Sequence, residues 1–179
     1  YNIFESAREA GVKRVIFASS GQVTDSGTVV TDHEAGYPYH LITQGRYDEV
    51  QKPWPMITHE MVRPRGAYGA SKVWGEAVGR HFSDTHGLSV LCVRIGSVLD
   101  HNDPSRIGPS MAWLSHRDVV DILVRCIDAP QDLRYDIFLA TSKNRYGYRD
   151  LEHPREVSSS LITVESIQNL LILRLMIPS

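Results

Sequence analysis

Arg65-Gly66-Ala67-Tyr68-Gly69-Ala70-Ser71-Lys72 opens a helix expected to run to about residue 86, and its reading decides the rest of the chain. Tyr68 and Lys72 are four residues apart, so one helical turn sets both side chains on the same face. A phenol with an ordinary pKa of about 10 is a poor acid or base at neutral pH. A lysine ammonium beside it favours the phenolate and makes proton transfer practicable. The pair becomes chemistry only when a third group holds a substrate oxygen near the phenol. Ser19-Ser20, at the end of the apolar run Val15-Ile16-Phe17-Ala18, supplies the candidate. The Tyr-Lys spacing alone arises often by chance. Ser-Ser at one strand end and Arg94-Ile95-Gly96-Ser97 at another turn it into a site.

Working outward, residues 1–10 read as a helix with Ile3, Phe4 and Ala7 on its inner face, ended by Gly11. Residues 15–18 are a continuous β-branched and aromatic run, the pattern of a strand buried on both faces. Helix, short turn and buried strand in succession predict an α/β fold with a parallel sheet. Beyond Lys72 the helix is expected to bury Val73, Ala77 and Val78, with Gly75 and Gly79 admitting a close neighbour. Gly87 ends it, and residues 88–93 form a second buried strand. Ser115 with Asp118 reads as a capping box for a helix that buries Val119, Val120, Leu123, Val124 and Ile127 and stops at Pro130. Residues 135–140 alternate into another strand. In open parallel sheets, sites form beyond the C-terminal strand ends, where Ser20 and residues 95–97 both fall. The long irregular stretch 21–65 separates Ser20 from Tyr68 and is expected to lie across the mouth of that site. Its Tyr37, Tyr39, Tyr47 and Trp54 predict that it packs rather than floats.

With 179 residues, 42% hydrophobic and 22% charged, the chain suits one soluble domain with a core. A net charge of -2 gives no reason to expect nucleic acid or an anionic membrane as partner. Cys92 and Cys126 fall in apolar segments and read as buried hydrophobes rather than as a disulfide or reactive thiols. No secretory signal is read in the charged, amphipathic first ten residues, so a cytoplasmic location is the default expectation. The eight histidines show no metal-ligand spacing. His81 and His86, five apart, are expected to be solvated helix positions that do not face each other. From about residue 158 the composition changes. Residues 1–157 read as the domain carrying the active-site motif, and 158–179 as an atypical apolar tail whose Glu165, Gln168, Asn169 and Arg174 argue against a membrane span.

The segments Phe17-Ala18-Ser19-Ser20, Tyr68-Gly69-Ala70-Ser71-Lys72-Val73-Trp74-Gly75-Glu76-Ala77, Val93-Arg94-Ile95-Gly96-Ser97 and Trp113-Leu114-Ser115-His116-Arg117-Asp118-Val119 resemble the extended short-chain dehydrogenase/reductases. Within them, the chain is most similar to the NAD-dependent epimerase/dehydratase group and its uronate dehydrogenase-like branch. The resemblance implies a partial NAD(P)-binding Rossmann fold, a doubly wound parallel sheet, here the C-terminal half of such an enzyme. It implies catalytic roles for Ser20, Tyr68 and Lys72, with Tyr68, Lys72 and Ile95 touching the cofactor. NAD is the implied cofactor, with NADP left open. Ser20, Gln22, Ser97 and Arg106 would contact a sugar or sugar-acid substrate. Arg106 stands twelve residues after Arg94, where uronate dehydrogenases place an arginine that binds the sugar carboxylate. Those enzymes follow the catalytic serine with Asn-His, whereas this chain has Gly21-Gln22, a departure that touches substrate choice and leaves the redox chemistry alone. Members of the group commonly pair through the tyrosine-bearing helix, so a homodimer is an expectation of the resemblance only.

A dinucleotide site also needs a strand–glycine-rich turn–helix unit to cradle the pyrophosphate, and none is read within the 179 residues. The expectation is that it lies upstream of Tyr1, which reads as a cut edge. Three functional readings follow. The first is an NAD(P)-dependent sugar or sugar-acid dehydrogenase using Tyr68 as acid/base; the second is a nucleotide-sugar epimerase or dehydratase; the third is a truncated, non-catalytic binding domain.

Overall fold

The computed structural model describes residues 1–24, 39–51, 56–64, 66–104 and 112–153. The elements in order are α1 (Asn2–Glu9), β1 (Arg14–Ser20), a 3-10 turn (Gly21–Thr24), α2 (Tyr39–Thr43), a second 3-10 turn (Tyr47–Glu49), α3 (Gly66–His86), β2 (Ser89–Ile95), α4 (His116–Asp128) and β3 (Tyr135–Ala140). The three strands are parallel in the order β1-β2-β3. Their register aligns Ser20 with Ile95 and Ile95 with Ala140, so the C-terminal ends form one row.

Helices cover both faces of this sheet, as a doubly wound fold requires. On one face Val90 and Cys92 of β2 pack with Phe4 of α1, Phe82 of α3 and Leu88. On the other, Leu91 and Val93 pack with Cys126 of α4, Leu114 and Phe138. This is period-2 alternation in a strand whose residues 89–94 are all buried. The expected close approach of α3 is also present. A Cβ at Gly75 would overlap the Phe17 ring of β1, and one at Gly79 would come 2.8 Å from Val90 Cγ1. Gly11 and Gly87 take φ of +70° and +68° just past α1 and α3, the left-handed helix ends at which glycine carries no Cβ penalty.

Several face assignments differ from expectation. Strand β1 is half-buried over Arg14–Phe17 rather than buried on both sides, because among the described strands it has a neighbour on one edge only. Ile3 is 77% exposed, leaving Phe4 to anchor α1. Ala77 of α3 is exposed, and the buried stripe is Gly75, Glu76, Gly79, Phe82 and Ser83. In α4, Val120 and Ile127 face outward and the inner face is Val119, Ile122, Leu123 and Cys126. His81 and His86 are exposed, yet their rings meet edge to face with centroids 6.0 Å apart.

Both ends of α4 are closed by side chains. Ser115 accepts a hydrogen bond from Asp118 N at 3.0 Å, as a helix N-cap should. The return half of the box runs through Ser142, which donates to Asp118 Oδ2 and accepts from Ser115 N at 2.9 Å. At the other end, Arg14 donates to the carbonyls of Cys126, Ile127, Ala129 and Pro130. Both cysteines are buried and free, and burial pushes the Cys92 thiol up to about 12 and that of Cys126 to about 11. Among the described residues no helix is long and apolar enough to cross a membrane. Residues 158–179, and with them the expected domain boundary and tail, lie outside the described residues.

Candidate active site

Gly69 is the contact that joins the two halves of the motif. A Cβ there would come within 2.6 Å of the carbonyl oxygen of Gln22, so only a residue without a side chain lets the first turns of α3 reach the bend after Ser20. Tyr68 and Lys72 are thereby delivered to the C-terminal end of β1. Lys72 Nζ donates to the Ala18 carbonyl at 2.8 Å and lies 5.5 Å from the Tyr68 ring centroid, confirming that the two share a face. The Tyr68 side chain is 58% exposed and open to a ligand.

The structure separates the two serines. Ser19 Oγ donates to Glu76 Oε1 at 2.6 Å and is committed to the interior. Ser20 Oγ accepts from Gln22 N at 3.2 Å, which leaves its own proton to donate. Ser20 ends β1, level with Ile95 of β2. Gln22 is exposed beside it. Ser97 follows the end of β2 and is tied by its backbone to the segment ahead of α4, with Ser97 N donating to Ala112 O at 2.7 Å. Arg106 lies outside the described residues.

Beneath this surface lies a polar network whose roles are not assigned from sequence. Arg94 of β2 is fully buried and grips Glu76 of α3 with two hydrogen bonds of 2.8 Å. Its Nη1 donates to the carbonyls of His59 and Met61, both at 2.9 Å. Glu76 thus holds Ser19, Arg94 and α3 in one cluster, while Arg94 draws in the segment before α3. The legible signal is an arginine interrupting the apolar run of β2, together with a glutamate one turn beyond Lys72.

Described residues of the stretch between Ser20 and Tyr68 also pack at this end of the sheet. Ile42 and Ile57 join Leu139 of β3 and Tyr148 in a third buried cluster, and Tyr47 stacks on Tyr146 with centroids 5.4 Å apart. The side chains of Tyr37, Tyr39 and Trp54 lie outside the described residues. No group of three or more His, Cys, Asp or Glu side chains among the described residues could hold a metal ion.

The chain is similar to proteins of known activity and structure. The chain is 33% identical over 156 residues to the NAD-dependent glucose-6-phosphate dehydrogenase of Haloferax volcanii, covering 87% of this chain and 55% of that protein. It is 31% identical over 153 residues to the uronate dehydrogenase of Pseudomonas putida, covering 86% and 47%. The crystal structure of glucuronic acid dehydrogenase from Chromohalobacter salexigens superposes with a TM-score of 0.65 at 26% identity, covering 88% of this chain and 49% of that one. The chain therefore spans about half the length of the relatives it matches. Residues 1–112, which contain Ser20, Tyr68, Lys72 and Ile95, match the family model itself, and the chain belongs to the NAD dependent epimerase/dehydratase family.

Proposed function

We propose that this chain carries the proton-transfer part of an NAD-dependent dehydrogenase that oxidises a hydroxyl of a sugar or sugar acid. The observation that carries the reading is the placement of Lys72 against the Tyr68 ring at the strand end that presents Ser20. Similarity to relatives named as dehydrogenases of glucose 6-phosphate and of uronates supports it.

The residues fit a nicotinamide cofactor. Ser20 and Ile95 end adjacent strands level with each other, and Tyr68 is exposed beside Lys72, whose Nζ reaches the Ala18 carbonyl of β1. Tyr68, Lys72 and Ile95 would hold the cofactor, which when bound supplies a hydride acceptor. Ser20 donates a hydrogen bond to the substrate hydroxyl oxygen and fixes it beside the phenol. Tyr68 takes the hydroxyl proton as general base. Lys72 stabilises the phenolate electrostatically, and its bond to the Ala18 carbonyl keeps the ammonium in place. Gln22, Ser97 and Arg106 are assigned to substrate contacts.

The test is NADH formation by the full-length protein across neutral sugars, sugar acids and sugar phosphates. Tyr68→Phe should lower kcat by about 100- to 10,000-fold without unfolding the protein, since the phenol is exposed. Undiminished turnover in that variant would remove the mechanism. Conversion of substrate without net NADH would move the protein to the epimerase reading, because epimerases return the hydride.

A further inference from the structure

Gly21 directly follows Ser20, and a Cβ built on it would overlap Nη2 of Arg149 and lie 2.7 Å from its Cζ. The guanidinium of a residue far along the chain fills the space that a side chain at position 21 would take. Its backbone is fixed there: Arg149 bridges Ile57, and Asp150 N donates to Ile57 O at 2.8 Å. The guanidinium lies over the Tyr148 ring, 5.5 Å from the centroid.

Arg149 is only 4% exposed, yet its Nε and Nη1 have no hydrogen-bond partner. Burial holds this guanidinium below its ordinary range and the like charge of Arg94 adds to that, against the opposing effect of Tyr148. Glu76 offers no relief, because Arg94 occupies both its oxygens and Ser19 shares one of them. Among the described residues no carboxylate pairs with Arg149. Arginine keeps its proton in proteins, so a buried guanidinium in this position calls for an anion. A neutral hydroxyl would satisfy an N–H but would leave the charge unmatched.

We infer that Arg149 reads the anionic substituent, carboxylate or phosphate, of the sugar whose hydroxyl is held by Ser20. This rests on the dehydrogenase reading above and adds to it the residue that selects the substrate. Gly21 carries no side chain, and Arg149 takes that space beside Ser20. Arg149 is a different candidate from Arg106, and the two are separable by mutation.

The experiment uses the full-length protein with glucose, glucuronate and glucose 6-phosphate as probes, in wild type, Arg149→Gln and Gly21→Ala. The readout is the ratio of kcat/KM for each anionic sugar to that for glucose. Wild type should prefer one of the two anions, and which one distinguishes a carboxylate from a phosphate site. Arg149→Gln should lower that ratio about 100-fold, mainly through KM. Gly21→Ala, which puts a methyl where the guanidinium stands, should lower it in the same direction. An unchanged ratio, or a wild type that prefers glucose, overturns the inference and leaves Arg149 a structural cation.

Should Arg149→Gln not fold, Arg149→Lys takes its place in the same comparison, because it keeps the charge and loses the guanidinium donors. Should no sugar reduce NAD, the dehydrogenase reading falls. Arg149 is then judged by thermal shift: glucuronate or glucose 6-phosphate must raise the wild-type Tm more than glucose does, and must lose that advantage in the variant. Equal shifts overturn the inference.

Discussion

The two ends of the parallel sheet treat their polar groups differently. At the N-terminal end Arg14 spreads its guanidinium over Ser89 Oγ and the last carbonyls of α4, and Ser89 in turn donates to Leu133 O at 2.7 Å. Ser83 and Arg134 close the turn after α3 in the same manner. At the C-terminal end a satisfied layer, Ser19–Glu76–Arg94, lies under groups left open: Tyr68 exposed, Ser20 with a proton to give, Arg149 with two donors unmatched. The N-terminal end is built to hold. The proposed chemistry falls at the end where buried hydrogen bonds are incomplete, and an unmatched buried donor is costly without a ligand.

Three substitutions at these ends can break or sharpen that contrast, and the largest effect is expected at Glu76. Glu76→Ala leaves Arg94 buried with its fork empty, a loss of about 3–5 kcal/mol on unfolding in urea. A loss below about 1 kcal/mol would mean that Arg94 finds water, and the dry layer under the site would not exist. Arg14→Met should cost less, about 1–2 kcal/mol, because several carbonyls it caps can reach solvent. Its kcat should stay that of wild type. A fall in kcat with Arg14→Met would show that the two ends are not independent, and the contrast would fail.

What was legible in the sequence follows the same division. The strands and long helices were legible because their periods are local: the run ending at Ser20, the strand before Gly96 and the alternation over Tyr135–Ala140 all stand where the pattern puts them. Tyr68 and Lys72 were legible because their relation is one helical turn. Faces were read too broadly at Ile3, Ala77, Val120 and Ile127, since apolarity shows which residues tolerate burial and not which find a neighbour. The surroundings of Arg94 and Arg149 were not legible, because they lie 18 residues away at Glu76 and across the fold at Gly21. The short helix Tyr39–Thr43 was hidden in the stretch read as irregular, where a single turn has no periodicity to show.

The smallest effect, and the finest probe of the contrast, concerns Asp118 near the N-terminus of α4, a satisfied cluster at the C-terminal end of the sheet. The Ser142 hydroxyl, and after it that of Ser115, hold the Asp118 carboxyl below the usual carboxylate range against the opposing effect of burial. A carboxyl depressed in the folded state adds stability that is present above its unfolded pKa of about 3.9 and is lost as pH falls through the folded value. Ser142→Ala removes the largest cause, so less stability is there to lose. Urea unfolding at a series of pH values from neutral into the acid range should show the two proteins furthest apart at neutral pH and converging below about pH 4. A gap that stays constant through that window would assign the effect of Ser142 to its other bond, from Ser115 N, and would detach Asp118 from the cluster.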